Sequence, residues 1–211
     1  GANRLGANSL LSGCVDGWFT LPYSVPNYLA PMLGTPVLPL DDPVVRQTVA
    51  DVEDRIDRLV NNNGLHSSDY FAKKLGAIMD RYVSVKRDPE ELPKAIEQIR
   101  DLRAQFWREV KVVGSADRLN QELEQAGRVA DYLELAELMC VDALDRDESA
   151  GAHFRTDHIS PEGEALRDDE NWTFVSAWQT PELTGADAGK PIRNYEPLEF
   201  VAVPLQQRNY K

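Results

Sequence analysis

Apolar residues return at helical spacing from the first ten positions of the chain. Leu10, Leu11, Cys14, Val15, Trp18 and Phe19 place a wide apolar face on one helix from Asn8 to about Leu21, with Asn8 or Ser9 as its N-cap. Prolines then crowd the chain at Pro22, Pro26, Pro31, Pro36, Pro39 and Pro43. A residue without an amide N–H interrupts helical hydrogen bonding, so this stretch predicts an extended connection between two folding units. Asp42-Pro43, a capping residue followed by proline at the first helical position, opens the next helix. Val45, Val49, Val52, Ile56 and Leu59 carry it until Asn61-Asn62-Asn63-Gly64 ends it. Phe71, Leu75, Ile78 and Tyr82 predict a further helix. Asp88-Pro89-Glu90-Glu91 starts another, with acid where the helix dipole favours it, and Leu92, Ile96, Ile99, Leu102, Phe106 and Val110 form its buried stripe. The last long helix is predicted from about Ser115 to Asp145 on Leu119, Leu123, Ala126, Ala130, Leu133 and Met139. Amphipathic helices joined by short loops pack as an antiparallel bundle.

After Asp147 the pattern changes. Residues 148–211 mix Gly and Pro breakers with aromatic residues and short β-prone runs, Trp172-Thr173-Phe174-Val175 and Glu199-Phe200-Val201-Ala202-Val203. The fold class is therefore mainly α, in three parts: a helix with a Pro-rich linker over 1–39, a helical domain over 40–147, and a small loop-rich, partly stranded α+β unit over 148–211. There is no internal repeat and no low-complexity segment.

Composition narrows the partners. Lys+Arg 23 against Asp+Glu 35 leaves a net charge of −12, which argues against nucleic acid or an anionic membrane surface as the main partner. An anionic substrate would need a local positive cluster against that field. No apolar run approaches the ~20 residues that span a bilayer, and no signal-peptide pattern is present. Cys14 and Cys140 have neither metal spacing nor a disulfide framework and sit among apolar neighbours, so both are expected as buried free thiols in a reducing compartment. Trp18, Trp107, Trp172 and Trp178 are expected in cores or interfaces. His66 and His158 lie in polar loop contexts that need no special role.

The chain opens Gly1-Ala2-Asn3-Arg4-Leu5-Gly6-Ala7-Asn8-Ser9-Leu10. A glycine-containing turn running into a helix offers backbone N–H groups to negative charge. Arg4 adds a planar fork suited to gripping a carboxylate with two hydrogen bonds. Taken alone, the same pattern also fits an ordinary turn with a solvated arginine. Such a turn normally follows a strand, so the opening reads as cut within a motif.

The string GANRLGANSLL at 1–11 resembles the signature of the succinate dehydrogenase/fumarate reductase flavoprotein family, of which L-aspartate oxidases share a near variant. A second block, Ala143-Leu144-Asp145-Arg146-Asp147-Glu148-Ser149-Ala150-Gly151-Ala152-His153-Phe154-Arg155, resembles the family's ALxRxESRGAHxR stretch. Arg167-Asp168-Asp169-Glu170-Asn171-Trp172 follows it as in the family. The resemblance covers essentially the whole chain. It implies that 1–21 closes an FAD-binding domain, with the Pro-rich linker running to 39, that about 40–147 is the family's helical domain, and that 148–211 is its C-terminal domain. It further implies that Arg4 binds a carboxylate of succinate or fumarate beside the flavin, that the main chain of Ser9 and Leu10 contacts the isoalloxazine ring, and that Asn3 and Gly6 shape the turn. No residue of the chain is assigned as a metal ligand or a proton-transfer group.

The expected activity is oxidation of succinate to fumarate by hydride transfer to FAD. Electrons then leave through an iron–sulfur subunit and membrane anchor subunits to quinone, at the cytoplasmic face of a bacterial inner membrane. Iron–sulfur clusters and haem belong to those partner subunits. The nucleotide-binding glycines, the histidine that carries FAD covalently and the residues for the second carboxylate are expected upstream, so the chain alone is expected to be inactive. Two alternatives stay open: the C-terminal part of an L-aspartate oxidase, and a non-catalytic helical interaction module. Ser12-Gly13, where aspartate oxidases carry an acidic residue, favours the succinate dehydrogenase reading over the oxidase, as do the Gly17–Tyr23 run and the ending Gln207-Arg208-Asn209-Tyr210-Lys211. In one departure, Ala150 stands where the family block has arginine. His153 and Arg155 are expected to hold a domain-docking network rather than perform chemistry.

Overall fold

The protein is described by a computed structural model over residues 8–179 and 191–206, with the side chains of Asn8 and Ser9 outside the description. Helix α1 (Asn8–Val15), a π-helical turn (Asp16–Thr20), helix α2 (Leu21–Leu29) and a 3-10 turn (Ala30–Met32) run on from one another. Asn8 and Ser9 both lie within α1, so neither is its cap.

This path corrects the extended reading of the first half of the Pro-rich stretch. Pro22 falls in the first turn of α2, where its missing N–H is not required. The turn before it widens to i→i−5, with Leu21 N–H donating to Asp16 O, which relieves the clash a proline ring makes with the carbonyl four residues back. Pro26 sits inside α2 and the helix continues past it, Ala30 N–H donating to Pro26 O. The chain becomes extended only from Leu33 (φ −61°, ψ 125°). Every described side chain from Leu10 to Asp41 is exposed, including Trp18 at 77%. Cys14 is likewise exposed, contrary to the expectation of burial, whereas Cys140 is buried.

Helix α3 (Pro43–Val60) begins as predicted, Asp42 accepting from Val44 N–H at 2.8 Å. Its apolar stripe is only partly used. Leu59 is buried and Val45 and Ile56 are half-buried, but Val49 and Val52 stay exposed. It joins the bundle through Leu59, the Arg55–Asp131 ion pair at 2.5 Å, and Arg58 stacked 4.4 Å over the Trp107 ring.

The core belongs to α4 (Ser68–Tyr82), α5 (Leu92–Glu109) and α6 (Gln121–Asp145). Phe71, Leu75 and Tyr82 face Leu92, Ile96, Ile99, Leu102 and Phe106, and the α6 stripe is mostly small: Ala126, Val129, Ala130, Leu133, Ala136, Cys140, Ala143. Small residues let α6 approach closely, and Phe71 meets Phe106 edge to face at 5.2 Å. The helices alternate in direction. The residues before α4 meet the end of α5 (His66 N–H to Glu109 O, 3.1 Å; Lys111 N–H to His66 O, 2.8 Å), and those before α5 meet the segment after α6 (Arg87 N–H to Phe154 O, 2.9 Å).

Helix α6 starts at Gln121 rather than near Ser115. Asn120 is the cap, its Oδ1 accepting from Glu122 and Leu123 N–H while its Nδ2 donates to Val113 O and Ser115 O. Gly114 takes φ +100°, closing a turn that excludes helix there. Leu119, 95% exposed, therefore leaves the predicted stripe, and Met139, 44% exposed, lies off it near the far end of α6.

Gly64 lies where the α3–α4 connection crosses the end of α5, and a Cβ there would overlap the backbone of Glu109. Gly64→Ala is expected to destabilise the bundle by about 2 kcal/mol through overpacking against backbone that cannot rotate away. An unchanged urea midpoint would show that the crossing can relax.

In the C-terminal unit, β1 (Phe174–Gln179) pairs antiparallel with β2 (Ile192–Pro197), Phe174 opposite Pro197 and Gln179 opposite Ile192. The first predicted β-run contributes its end. The second, Glu199–Val203, is not a strand, and Val201 and Val203 are 94% and 69% exposed. Polar ties to α6 select the hairpin instead: Trp178 Nε1–H donates to Asp142 at 2.7 Å, and Arg193 pairs with Asp145 while stacking 4.4 Å over Tyr195. No helix among the described residues is long and apolar enough to cross a membrane.

Candidate functional site

Two regions carry the residues singled out by sequence. In the first, Arg4 lies outside the described residues, Ser9 is described only by its place in α1, and Leu10 is 69% exposed on the same helix. Nothing among the described residues covers this helix.

The second region is the Ala143–Arg155 block, where α6 ends and the C-terminal unit begins. Four of α6's last carbonyls lack helical partners, as at any helix end, and a buried cation satisfies part of that need. Arg155 Nη1 donates to Leu144 O at 3.0 Å and Arg146 O at 3.3 Å. Its remaining N–H groups grip Asp157 with two bonds, Nε to Oδ1 at 2.9 Å and Nη2 to Oδ2 at 2.7 Å, with Asp147 3.0 Å from Nη2. The Arg155 guanidinium holds the Asp157 carboxyl well below the usual carboxylate range. Ser149, fully buried, accepts from Arg155 N–H at 2.8 Å.

Arg146 and Glu148 form a second pair, Nη1 to Oε1 at 2.7 Å. Arg146 also donates to Trp172 O and Phe174 O and lies over both rings. The other oxygen of Glu148 accepts from Asp168 N–H at 3.1 Å. A shallow cavity of ≈ 210 Å³ opens beside this pair, bounded by Ala150, Arg167, Trp172, Phe174 and Phe200, so the alanine that replaces the family arginine stands on its wall.

Between the two pairs lies His153, 7% exposed. Arg87 Nη1 approaches His153 Nδ1 at 2.7 Å, and Nε2 approaches Arg146 O at 2.9 Å. A guanidinium can only donate and a carbonyl can only accept, so the ring is neutral with its proton on Nε2. Burial pushes the His153 pKa down; the bond to Arg146 O opposes this, and the charges of Arg87, Arg155 and Arg146 add to it.

His153 and Arg155 thus form the docking network that sequence anticipated, with Arg146 and Glu148 as partners. Arg87 was missed. It sits in the α4–α5 connection, 66 residues from His153, and nothing local marks it apart from other surface arginines. Asp147, Asp157 and His158 bring ligand-type atoms close enough for a metal ion, but the Arg155 guanidinium already occupies both carboxylates.

A family model described as fumarate reductase flavoprotein C-term matches residues 72–210. The fumarate reductase flavoprotein subunit of Escherichia coli K12 is 30% identical over 211 residues, covering 100% of this chain and 32% of that protein. The succinate dehydrogenase flavoprotein subunit of Rickettsia bellii is 30% identical over 218 residues, covering 100% of this chain and 33% of that protein. The chain therefore spans about a third of the length of these relatives. A solved E. coli quinol fumarate reductase superposes with a TM-score of 0.63 at 26% identity, over 79% of this chain and 27% of that one. Mycobacterium smegmatis Sdh1 shares the fold, with a TM-score of 0.56 at 20% identity over 75% of this chain and 25% of that one. Model, relatives and fold agree, and the chain belongs to the succinate dehydrogenase/fumarate reductase flavoprotein family, of which it is a C-terminal portion.

Proposed function

We propose that this chain completes one wall of a flavin site at which succinate and fumarate are interconverted. The observation that carries the reading is that the GANRLGANSLL string ends in helix α1, whose described side chains no described residue covers. An exposed helix bearing Leu10, Leu11, Trp18 and Phe19 is costly in water, so a further folded body is expected to lie against it. In that assembly Arg4 grips one carboxylate of the substrate, and the backbone at Ser9 and Leu10 borders the ring. FAD, when bound, supplies the hydride acceptor. Arg4 orients the dicarboxylate so that its central carbon–carbon bond lies over the ring, which is catalysis by positioning. The upstream part of the subunit supplies the remaining site residues and the covalent anchor for FAD. An iron–sulfur subunit, membrane anchor subunits and quinone complete the electron path, with the flavoprotein peripheral at the cytoplasmic face of a bacterial inner membrane. Either direction of the reaction uses these residues.

The intact subunit is expected to oxidise succinate with a dye acceptor or to reduce fumarate with a reduced viologen, and to co-purify with an iron–sulfur protein. Residues 1–211 alone are expected to bind no FAD. Inertness of the flavin-loaded subunit toward both dicarboxylates would overturn the reading, and a yellow, active sample of residues 1–211 would overturn the division of labour.

A further inference from the structure

Three segments meet at His153: the α4–α5 connection through Arg87, the end of α6 through Arg146, and the loop from Ser149 to Thr156. The ring joins the first two directly. The loop closes the arrangement with Arg87 N–H donating to Phe154 O at 2.9 Å and Thr156 N–H donating to Arg87 O at 3.0 Å. We propose that His153 is an acid-labile latch, which docks the C-terminal unit on the bundle while its ring is neutral and releases the Arg87–Phe154–Thr156 seam when its ring gains a second proton.

The geometry leaves no place for that proton. Nδ1 is the atom that would take it, and Nδ1 already accepts from Arg87 at 2.7 Å. Protonation would turn a hydrogen bond into a contact between two cations in a buried place. The surrounding charges give no relief. Arg146 beyond α6 is paired with Glu148, and Arg155 is held by Asp157 and Asp147. Asp142 on α6 acts on Arg87, and the neighbouring Cys140 thiol is itself pushed up to about 11 by burial and stays neutral. The carboxylates near His153 therefore neutralise arginines and none faces the ring.

The direction of the pH effect follows from linkage. The pKa of His153 is depressed by docking, so its contribution is fully present above the undocked value near 6.5 and is lost as pH falls from there toward the docked value. Asp157 is also depressed, from the ordinary carboxylate value of 3.8, so its contribution is lost as pH falls below that value.

The test is hydrogen exchange by mass spectrometry on the intact subunit at pH 7.5 and 5.5, corrected for intrinsic exchange, following peptides over 83–90 and 147–158. Opening of this seam is expected to rise by up to about tenfold over that range, the limit for one proton taken up on opening by an imidazole of ordinary pKa near 6.5, while peptides in α5 and α6 stay unchanged. His153→Gln offers an acceptor to Arg87 and a donor to Arg146 O but cannot titrate, and should flatten the response. A wild-type seam that ignores pH, or a glutamine variant that keeps the tenfold rise, overturns the proposal. Should the glutamine variant be open at both values, nitrogen NMR of the wild-type imidazole decides: a ring neutral at pH 6 with its proton on Nε2 supports the latch, and a ring charged at pH 6 within a closed seam overturns it.

Discussion

Arg4→Lys in the intact subunit is expected to lower succinate turnover about 10²–10³-fold with FAD content unchanged, the loss typical of a misplaced reacting group. Lysine keeps the positive charge and so retains the long-range attraction for a dicarboxylate, which matters in a chain of net charge −12. It loses the planar fork that fixes a carboxylate by two parallel bonds, and a rotating ammonium lets the substrate tilt over the flavin. The loss should therefore fall mainly on kcat, with a smaller rise in KM. Steady-state kinetics with a dye acceptor, alongside the flavin absorbance of the same sample, separates the two parameters. Near-normal turnover would mean that Arg4 is solvated and the carboxylate is held elsewhere.

The second large effect concerns the joint between bundle and C-terminal unit. Arg155→Ala is expected to cost about 2–3 kcal/mol, chiefly from the carbonyls at the end of α6 that lose their charged donor, since solvent screens the partly exposed carboxylates of Asp157 and Asp147. The variant strips two bonds from Asp157, frees Asp147, and leaves Leu144 O and Arg146 O at the end of α6 without their cation. Unfolding should then split in two. Trp172 and Trp178, which rest on this joint through the Arg146 guanidinium and Asp142, should report an early transition in urea, with helical ellipticity lost later. A single unshifted transition would place the joint's strength in the Arg146–Glu148 pair instead. Asp157→Asn should remove the matching acid-range slope: the wild-type contribution is present above about pH 4 and lost below it, because Arg155 depresses the carboxyl in the folded chain.

Much of this was legible along the chain. The cap at Asp42, the stripes of α4 and α5, and the network role of His153 and Arg155 all follow local rules, since periodicity and capping act within a few residues. The misreadings share a cause in competition between local and distant partners. Pro22 and Pro26 argued for an extended chain, yet a π-turn placed before the first of them preserves the helix. Glu199–Val203 has the stronger β composition, yet Ile192–Pro197 forms the strand, because Arg193 finds Asp145 and stacks over Tyr195. Leu119 fits the helical period but follows a left-handed glycine and a capping turn that no period can reveal.

The opening glycine-rich segment GANRLGANSLL, from which the family resemblance arises, is read from residue identity and order alone, and Arg4 lies outside the described residues. The bundle, too, is encoded by spacing. What only tertiary structure decides is which groups at the second block answer one another. Arg87 and His153 are 66 residues apart, and the protonation state of that ring depends on a guanidinium brought to 2.7 Å by the packing of α4, α5 and α6. Hydrogen bonding and charge act over a few ångströms of space, and no pattern along a chain measures that distance.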